Sequence, residues 1–300
     1  MLKITSDHHV LTMSDKHSPV AHVSSGENVI FETLDCFSCK IKREDQMFSS
    51  VGWEHINPAT GPLYVDGAQC GDILKVEILD IKLASYGVTA TAPGLGVFGK
   101  QWNREVTRIV PVHDGKVYFN EKIILEASPM IGVIGTTPAN GDEIPTGTPG
   151  HHGGNMDCKL ISSGSTIYLP VNVDGALLSM GDMHAAMGDG EVSGCGIEIA
   201  GEITVRVTVL KDIDMPVPML VNKTHLITIF SALTLDEAVK GATIQMHKFL
   251  VDKMNIEPHE AAMLLSASAD LRICQIVDPL ITCRMELPLQ IMEQYSCRIE

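Results

Sequence analysis

From about residue 20 to residue 210 the chain repeats one pattern, a short run of β-branched and apolar residues followed by a turn cluster. The runs NVIFETL, DILKVEILDIKL, EVTRIVPV, STIYLPV and ITVRVTVL are punctuated by SGE, GPLYVDG, HDGK and SSGS. Such spacing predicts antiparallel strands. In EILDIKL and ITVRVTVL apolar and polar residues alternate, so one face packs on a core and the other meets water. A sandwich or a barrel-like sheet follows more naturally than a parallel βαβ fold.

The pattern changes near residue 234. TLDEAVKGATIQMHKFLVDKMN opens with a capping box, Thr234 followed three residues later by Glu237. Leu235, Ala238, Val239, Ala242, Met246, Phe249, Leu250 and Met254 then recur at helical spacing, which predicts an amphipathic helix of about five to six turns. A second helix is expected to begin at Pro258 and run through HEAAMLLSAS, with two apolar stretches, LRICQIVD and ITCRMEL, after it. The expected fold is therefore mainly β with an appended α/β portion. A β-rich region over residues 1–210 carries the site, and an α/β lobe over 211–300 packs on it. The boundary is soft, a single domain would also account for it, and KDIDMPVPMLVNKTH is the connecting segment.

Composition excludes several classes. With 300 residues, 45% hydrophobic and 20% charged, the chain can bury a large core and is a poor match for disordered, collagen-like or coiled-coil proteins. Acidic residues exceed basic ones by 37 to 22, and no Lys/Arg cluster stands ready to neutralise phosphates, which argues against a nucleic-acid partner. The opening MLKITSDHHVLTMSDKHSP lacks the apolar stretch of a signal peptide, and no later segment approaches a bilayer span. A cytoplasmic protein without membrane attachment is expected. Its 8 cysteines are then expected to be thiols, and the lone Cys36-x-x-Cys39 lacks the second pair that would make a zinc motif.

Side chains with acid–base or metal-binding capacity concentrate in two stretches, HHGGNMD (151–157) and GDMHAAMGDGE (181–191). The segment between them, ISSGSTIYLPVNVDGALLS, is apolar enough to be a buried strand. Both stretches would then meet at one sheet edge and present Asn155, Asp157, Asp182, His184, Asp189 and Glu191 to a common cavity. In extended chain, residues two apart share a side, which pairs Asp182 with His184 and Asn155 with Asp157. A histidine with carboxylates suits zinc, with one position left for water, and the surplus carboxylates leave room for a second, oxygen-ligated ion such as calcium. Gly153, Gly154, Gly181, Gly188 and Gly190 allow close backbone approach to a ligand and an oxyanion-stabilising role for main-chain N–H groups. Against this stands the plain reading that Asp-x-His and Gly-Asp-Gly are ordinary turn chemistry. Two glycine-flanked pairs together favour a site.

Other candidates carry less. His8, His9, His17 and His22 read as surface residues, His247 as a solvated helix position, and Ser162, Ser163 and Ser165 as a turn, with no G-x-S-x-G elbow in the chain. PGLGVFG (93–99) has no phosphate-binding lysine and opens no helix, so it reads as a rim or lid and not a P-loop.

The same stretches resemble the acetamidase/formamidase family of small-amide hydrolases. The residues that carry the resemblance are SGENVIFETLDC (25–36), NPATGPLYVDGAQCGD (57–72), HGGNMD (152–157), LPVNVDGALLSMGDMHAAMGDGEVSG (169–194) and DLRICQIVD (270–278), so it covers almost the whole chain. It implies a β-rich fold with a smaller α/β portion, a homodimer, a metal-containing active site, and hydrolysis of a small formamide- or acetamide-like amide to carboxylate and ammonia. Carried over by position, it places Asp157, Asp182, His184 and Glu191 at the centre, with Asp35 and Asn155 contributing.

The working assignment makes Glu191 and Asp182 the proton carriers. Asp157, His184, Asp35 and Asn155 hold metal, and His152, Gly153, Gly154 and Met187 surround the substrate. Met187 stands where many relatives have glutamine, which makes it a specificity candidate. Cys36, Cys39 and His151 receive no role. Three rivals remain: a different or cyclic amide substrate, a metal-stabilised binding protein without catalysis, and a cysteine nucleophile at Cys158 or Cys195. Cys158 follows Asp157 directly, so in a strand its side chain would point away from the cavity.

Overall fold

The structure, a computed structural model, describes residues 1–295, 297 and 299. Two large sheets carry it. The first has nine strands in the order Leu2–Ile4, Asn28–Thr33, Gly201–Leu210, Ile73–Leu83, Thr166–Pro170, Met219–Val221, His225–Ala232, Ile281–Pro288 and Asp270–Gln275. All its pairings are antiparallel except that of Leu2–Ile4 with Asn28–Thr33. In the second, eleven-stranded sheet the path runs Ile124–Glu126, Lys116–Tyr118, Val106–His113, Tyr86–Thr91, Glu198–Ile199, Leu178–His184, Met130–Gly135 and Gly153–Asn155, with Ala59–Asp66 branching from Leu178–His184.

Alternation explains how the sheets stack. Phe31, Ile78, Leu169 and Val205 from the first sheet and Leu63, Ile131, Met180 and Met183 from the second belong to one buried apolar layer. The fold is mainly β, as the sequence pattern requires, in a sandwich arrangement. Two strands of the second sheet, Met130–Gly135 and Leu178–His184, are buried at every residue. Polar groups on such strands have no solvent to turn to, so each needs a partner within the protein.

The helix α1, Leu235–Met254, starts at the capping box read from the sequence: Thr234 Oγ1 accepts from the Glu237 amide while the Glu237 carboxylate accepts from the Thr234 amide. Its buried residues Ala242, Met246, Phe249 and Leu250 pack with Leu226, Met285 and Leu287 of the first sheet. Helix α2, Pro258–Ser268, begins with proline in its first turn. Strand pairing does not stop at residue 210: Thr166–Pro170 bonds to Met219–Val221, so the later strands extend the first sheet. No helix among the described residues is long and apolar enough to cross a membrane.

Candidate active site

The two polar stretches do converge, by a route that differs from the expected one. Thr166–Pro170, the strand between them in sequence, crosses to the first sheet, and Met130–Gly135 takes the place between them in space. Val133 faces Asn155 on one side and Gly181 on the other. Gly132 sits between Asp157 and Asp182, and a Cβ there would lie 2.8 Å from Asp182 Oδ2 and overlap Asp157 Oδ1. Glycine thus keeps open a cradle between two carboxylates.

The backbone is bent where the acids project. Asp157, Asp182 and Glu191 all adopt positive φ, at 41°, 52° and 45°, although none is glycine. Such conformations cost roughly 1–3 kcal/mol each and persist where surrounding structure holds them. Strand alternation alone therefore does not set which side these acids face.

Asp157, His184 and Glu191 form one buried group whose ligand atoms lie within 4.8 Å of one another; Cys36, Asp182 and Glu198 form a second group of the same compactness. The groups adjoin. His184 Nε2 is 3.0 Å from Glu198 Oε2, 3.6 Å from Asp182 Oδ1 and 3.8 Å from Asp157 Oδ1. None of these contacts has hydrogen-bond alignment, and both Asp157 oxygens, Asp182 Oδ1, Glu198 Oε2, Asn155 Oδ1 and both His184 nitrogens are buried without a hydrogen-bond partner among the described residues. Buried polar atoms are almost always paired, so this concentration of unpaired oxygens and ring nitrogens marks a candidate ligand site.

Charge points the same way. Burial pushes Asp157 up to about 7, with Asp182 adding to the rise, and burial likewise brings Glu198 to about 7. Glu191 is held well above the usual carboxylate range by burial and by Asp157. Burial would lower His184, but Glu198 and Asp182 outweigh it and hold the imidazole well above its ordinary value. Repulsion among these acids is relieved when they keep their protons, and would be relieved equally by a cation among them.

The cluster forms the floor of a cavity of about 900 Å³, where Asn155, Asp182, Glu191, Glu198 and Asp278 come to the surface. Asp157 and His184 lie behind it, fully buried. Asn155 Nδ2 donates to Asp278 Oδ2 at 3.0 Å. Asp35 is buried beside the floor, where burial raises it to about 6, and its Oδ1 accepts from the amides of Phe37 and Cys39. That oxygen fixes the loop carrying Cys36.

Several expected residues stand elsewhere. Asp189 leaves the cavity: its carboxylate takes two bonds from Arg284, at 2.9 and 2.8 Å, and an ion pair from Lys159 at 3.2 Å. Met187 lines a separate groove of about 490 Å³, which meets the cavity only at Glu191 and Cys195. His152, Gly153 and Gly154 are buried but absent from the cavity lining, and the Gly153 amide is used on the Gly150 carbonyl. Burial lowers His152 to about 4. His8, His9 and His22 are exposed.

Cys158 lies in the apolar core outside the cavity lining, its thiol lowered by a hydrogen bond to Cys274, and has no route to a substrate. Cys195 does reach the cavity, but burial and Glu198 push its thiol up, the reverse of what a nucleophile needs. Cys36 joins the floor while Cys39 stays outside both groups, so the C-x-x-C pair does not act as a chelating unit.

Three floor residues escaped the sequence reading: Cys36, to which it assigns no role, Glu198 and Asp278. Glu198 is paired directly with His184 across antiparallel strands. Its one local signal is a carboxylate inside the apolar run GIEIA, four residues past the glycine-rich stretch. Asp278 ends DLRICQIVD, and nothing local marks it as facing Asn155.

Fold and site together define a class: a two-sheet β protein whose buried acidic cluster opens onto a cavity of substrate size. The chain belongs to the Acetamidase/Formamidase family, whose profile matches residues 14–145 and 142–294, and by the names its members carry this is a family of amidases. An acetamidase crystal structure from Bacillus halodurans is 48% identical, covers 98% of this chain and 99% of its own, and superposes with a TM-score of 0.96. For a predicted acetamidase/formamidase from Thermoanaerobacter tengcongensis the values are 43% identity, 99% and 98% coverage, and a TM-score of 0.95. The formamidase of Methylophilus methylotrophus is 27% identical over 297 residues, 76% of this chain and 72% of its own length. A Schizosaccharomyces pombe relative, 28% identical over 263 residues, is longer, and the chain spans 64% of it.

Proposed function

We propose that the protein hydrolyses the C–N bond of a small linear amide to carboxylate and ammonia, with a divalent ion held by Asp157, His184 and Glu191. The observation that carries the metal is the set of buried, unpaired ligand atoms on a floor that, among the described residues, no Lys or Arg lines. One histidine and two carboxylates suit zinc and leave a coordination position for water or substrate. The Cys36, Asp182 and Glu198 group offers a second position, and a cysteine sulfur among its ligand atoms favours zinc over the calcium expected from the sequence. Names borne by the relatives, acetamidase and formamidase, supply the bond type.

When bound, a divalent ion supplies polarisation of an amide carbonyl and a water whose pKa falls from about 15.7 to about 7. The chain's residues do the rest. Glu191 stands with the ligands, and Asp182 with the second group, so neither is the freest proton carrier. Asp278 is the floor carboxyl outside both groups; fixed by Asn155, it faces the cavity and is placed to hand a proton to the departing nitrogen, which amine expulsion requires. Apolar walls exclude bulk water from the floor and strengthen every polar contact made there.

The test is ammonia release from acetamide and formamide by protein as purified, after chelation, and after zinc is restored, with bound metal quantified alongside. Activity that falls with chelation and returns with zinc is expected. Undiminished turnover by metal-free protein would overturn the metal assignment.

A further inference from the structure

We propose that the cavity selects neutral amides whose acyl group ends in an apolar substituent of about ring size, with formamide and acetamide as its poorest substrates. This rests on the amide-hydrolase reading and specifies its substrate.

Size comes first. A cavity of about 900 Å³ falls near the top of the range, roughly 300–1,000 Å³, that encloses drug-sized ligands. Formamide or acetamide fills a small fraction of it and leaves most of the wall untouched. The cavity is also two-sided in chemistry. Its floor is acidic, while Phe37, Phe48, Trp53, Ile56, Leu95 and Pro279 make up an apolar wall. An amide group on the floor would therefore direct its substituent along that wall.

The aromatic part of the wall is built. Phe48 meets Phe37 edge-on at 6.0 Å and Trp53 edge-on at 5.0 Å, so the three rings form one connected cluster with Phe37 as its buried backing. Phe37 and Phe48 are buried, whereas Trp53 is 71% exposed on the short turn Trp53–His55, where its ring forms part of the rim. Exposing an indole to water is unfavourable, and an apolar substituent covering its inner face would recover part of that cost. Asp35 couples wall to floor: the loop it fixes places Cys36 on the floor and Phe37 on the wall.

Charge narrows the class further. Among the described residues no Lys or Arg lines the cavity, and Glu54 joins the wall beside Trp53. A substrate with a carboxylate at its far end would lay that charge along a wall that offers it Glu54 and no described counter-charge, so monoamides of dicarboxylic acids are selected against.

The experiment compares kcat/KM for acetamide, butyramide, phenylacetamide and the carboxylate-bearing succinamate with the zinc-loaded full chain. A rise of about tenfold or more from acetamide to phenylacetamide is expected, since each apolar group seated in a fitting pocket adds a factor of this order. Succinamate should fall below butyramide. Trp53→Ala, at an exposed position where folding is not at risk, should lower the phenylacetamide-to-acetamide ratio severalfold, and phenylacetate should inhibit more strongly than acetate. A flat or falling series, with acetamide turned over in a zinc-dependent way, would overturn this proposal and leave the hydrolase reading in place. Failure to turn over any amide would remove that reading and this proposal together.

Discussion

Asp189 and Glu191 stand two residues apart on one glycine-rich loop, yet their charges are met in opposite ways, Asp189 exposed and Glu191 buried. Asp189 meets the forked guanidinium of Arg284 and the ammonium of Lys159. Glu191 turns to the other side, joining Asp157 and His184 where no Lys or Arg among the described residues reaches. The first arrangement is complete within the chain; the second is the one for which a cation from outside is proposed. Residue type therefore does not separate a structural acid from a ligand, and the supply of internal counter-charge does.

The sharpest way to break this comparison is to remove a ligand. His184→Ala is expected to abolish stoichiometric zinc binding and lower kcat/KM for amide hydrolysis about a hundredfold or more, given the several kcal/mol that metal polarisation provides. Metal analysis and ammonia release on the same sample check it. An active, metal-free variant would show that the unpaired cluster does not wait for a cation.

Stability should next show opposite signs in the two regions. Asp189→Asn takes the forked partner from buried Arg284, which keeps Glu286 at 2.7 Å, and is expected to cost about 1–2 kcal/mol in urea unfolding while zinc content persists. Asp157→Asn removes one of several repelling acids and is expected to stabilise the metal-free protein above neutral pH, on a scale where one pKa unit is about 1.4 kcal/mol. If both substitutions destabilise the metal-free protein equally, the distinction fails.

A gentler test is pH. In the metal-free fold Asp157 and Glu198 keep their protons to about pH 7, whereas the unfolded chain releases them near pH 4. Between those values the folded state binds more protons. Its stability should therefore fall as pH rises through this window, while zinc affinity rises because the ligands deprotonate. Thermal unfolding with chelator and with zinc, from about pH 5 to about pH 8, should show the two trends diverging.

The smallest effect is expected at Met187, which lines the neighbouring groove. Met187→Gln should change the acetamide-to-phenylacetamide ratio by about twofold or less, as for a position away from the substrate. A larger shift would mean that the groove and the cavity act as one site.

Much of this was legible locally. Strand alternation located Ile73–Leu83 and Gly201–Leu210 almost to the residue, and the Thr234 and Glu237 pair marked the start of α1. The two polar stretches also pointed to the right region, since Asp157, Asp182, His184 and Glu191 all reach the cluster. Beyond that, local reasoning failed for identifiable reasons. It assumed regular alternation at Asp157 and Asp182, where positive φ redirects the side chains. It placed Thr166–Pro170 between the site stretches, although that strand satisfies its hydrogen bonds in the other sheet. It also grouped Asp189 with Glu191, because the partner that claims Asp189 lies 95 residues further along the chain.

The sequence by itself determined the β-rich class, the capped helix that covers the first sheet, and the supply of acids and glycines in two short segments, because propensity, periodicity and capping act between near neighbours. Only the tertiary structure decided which acids share one buried cluster, which one is neutralised by Arg284, that Glu198 stands opposite His184, and that Phe48 and Trp53 wall a cavity whose acidic floor residues lie more than a hundred positions away. Those outcomes depend on strand register and on the distance between charges, and a linear order of residues specifies neither until the sheets have closed.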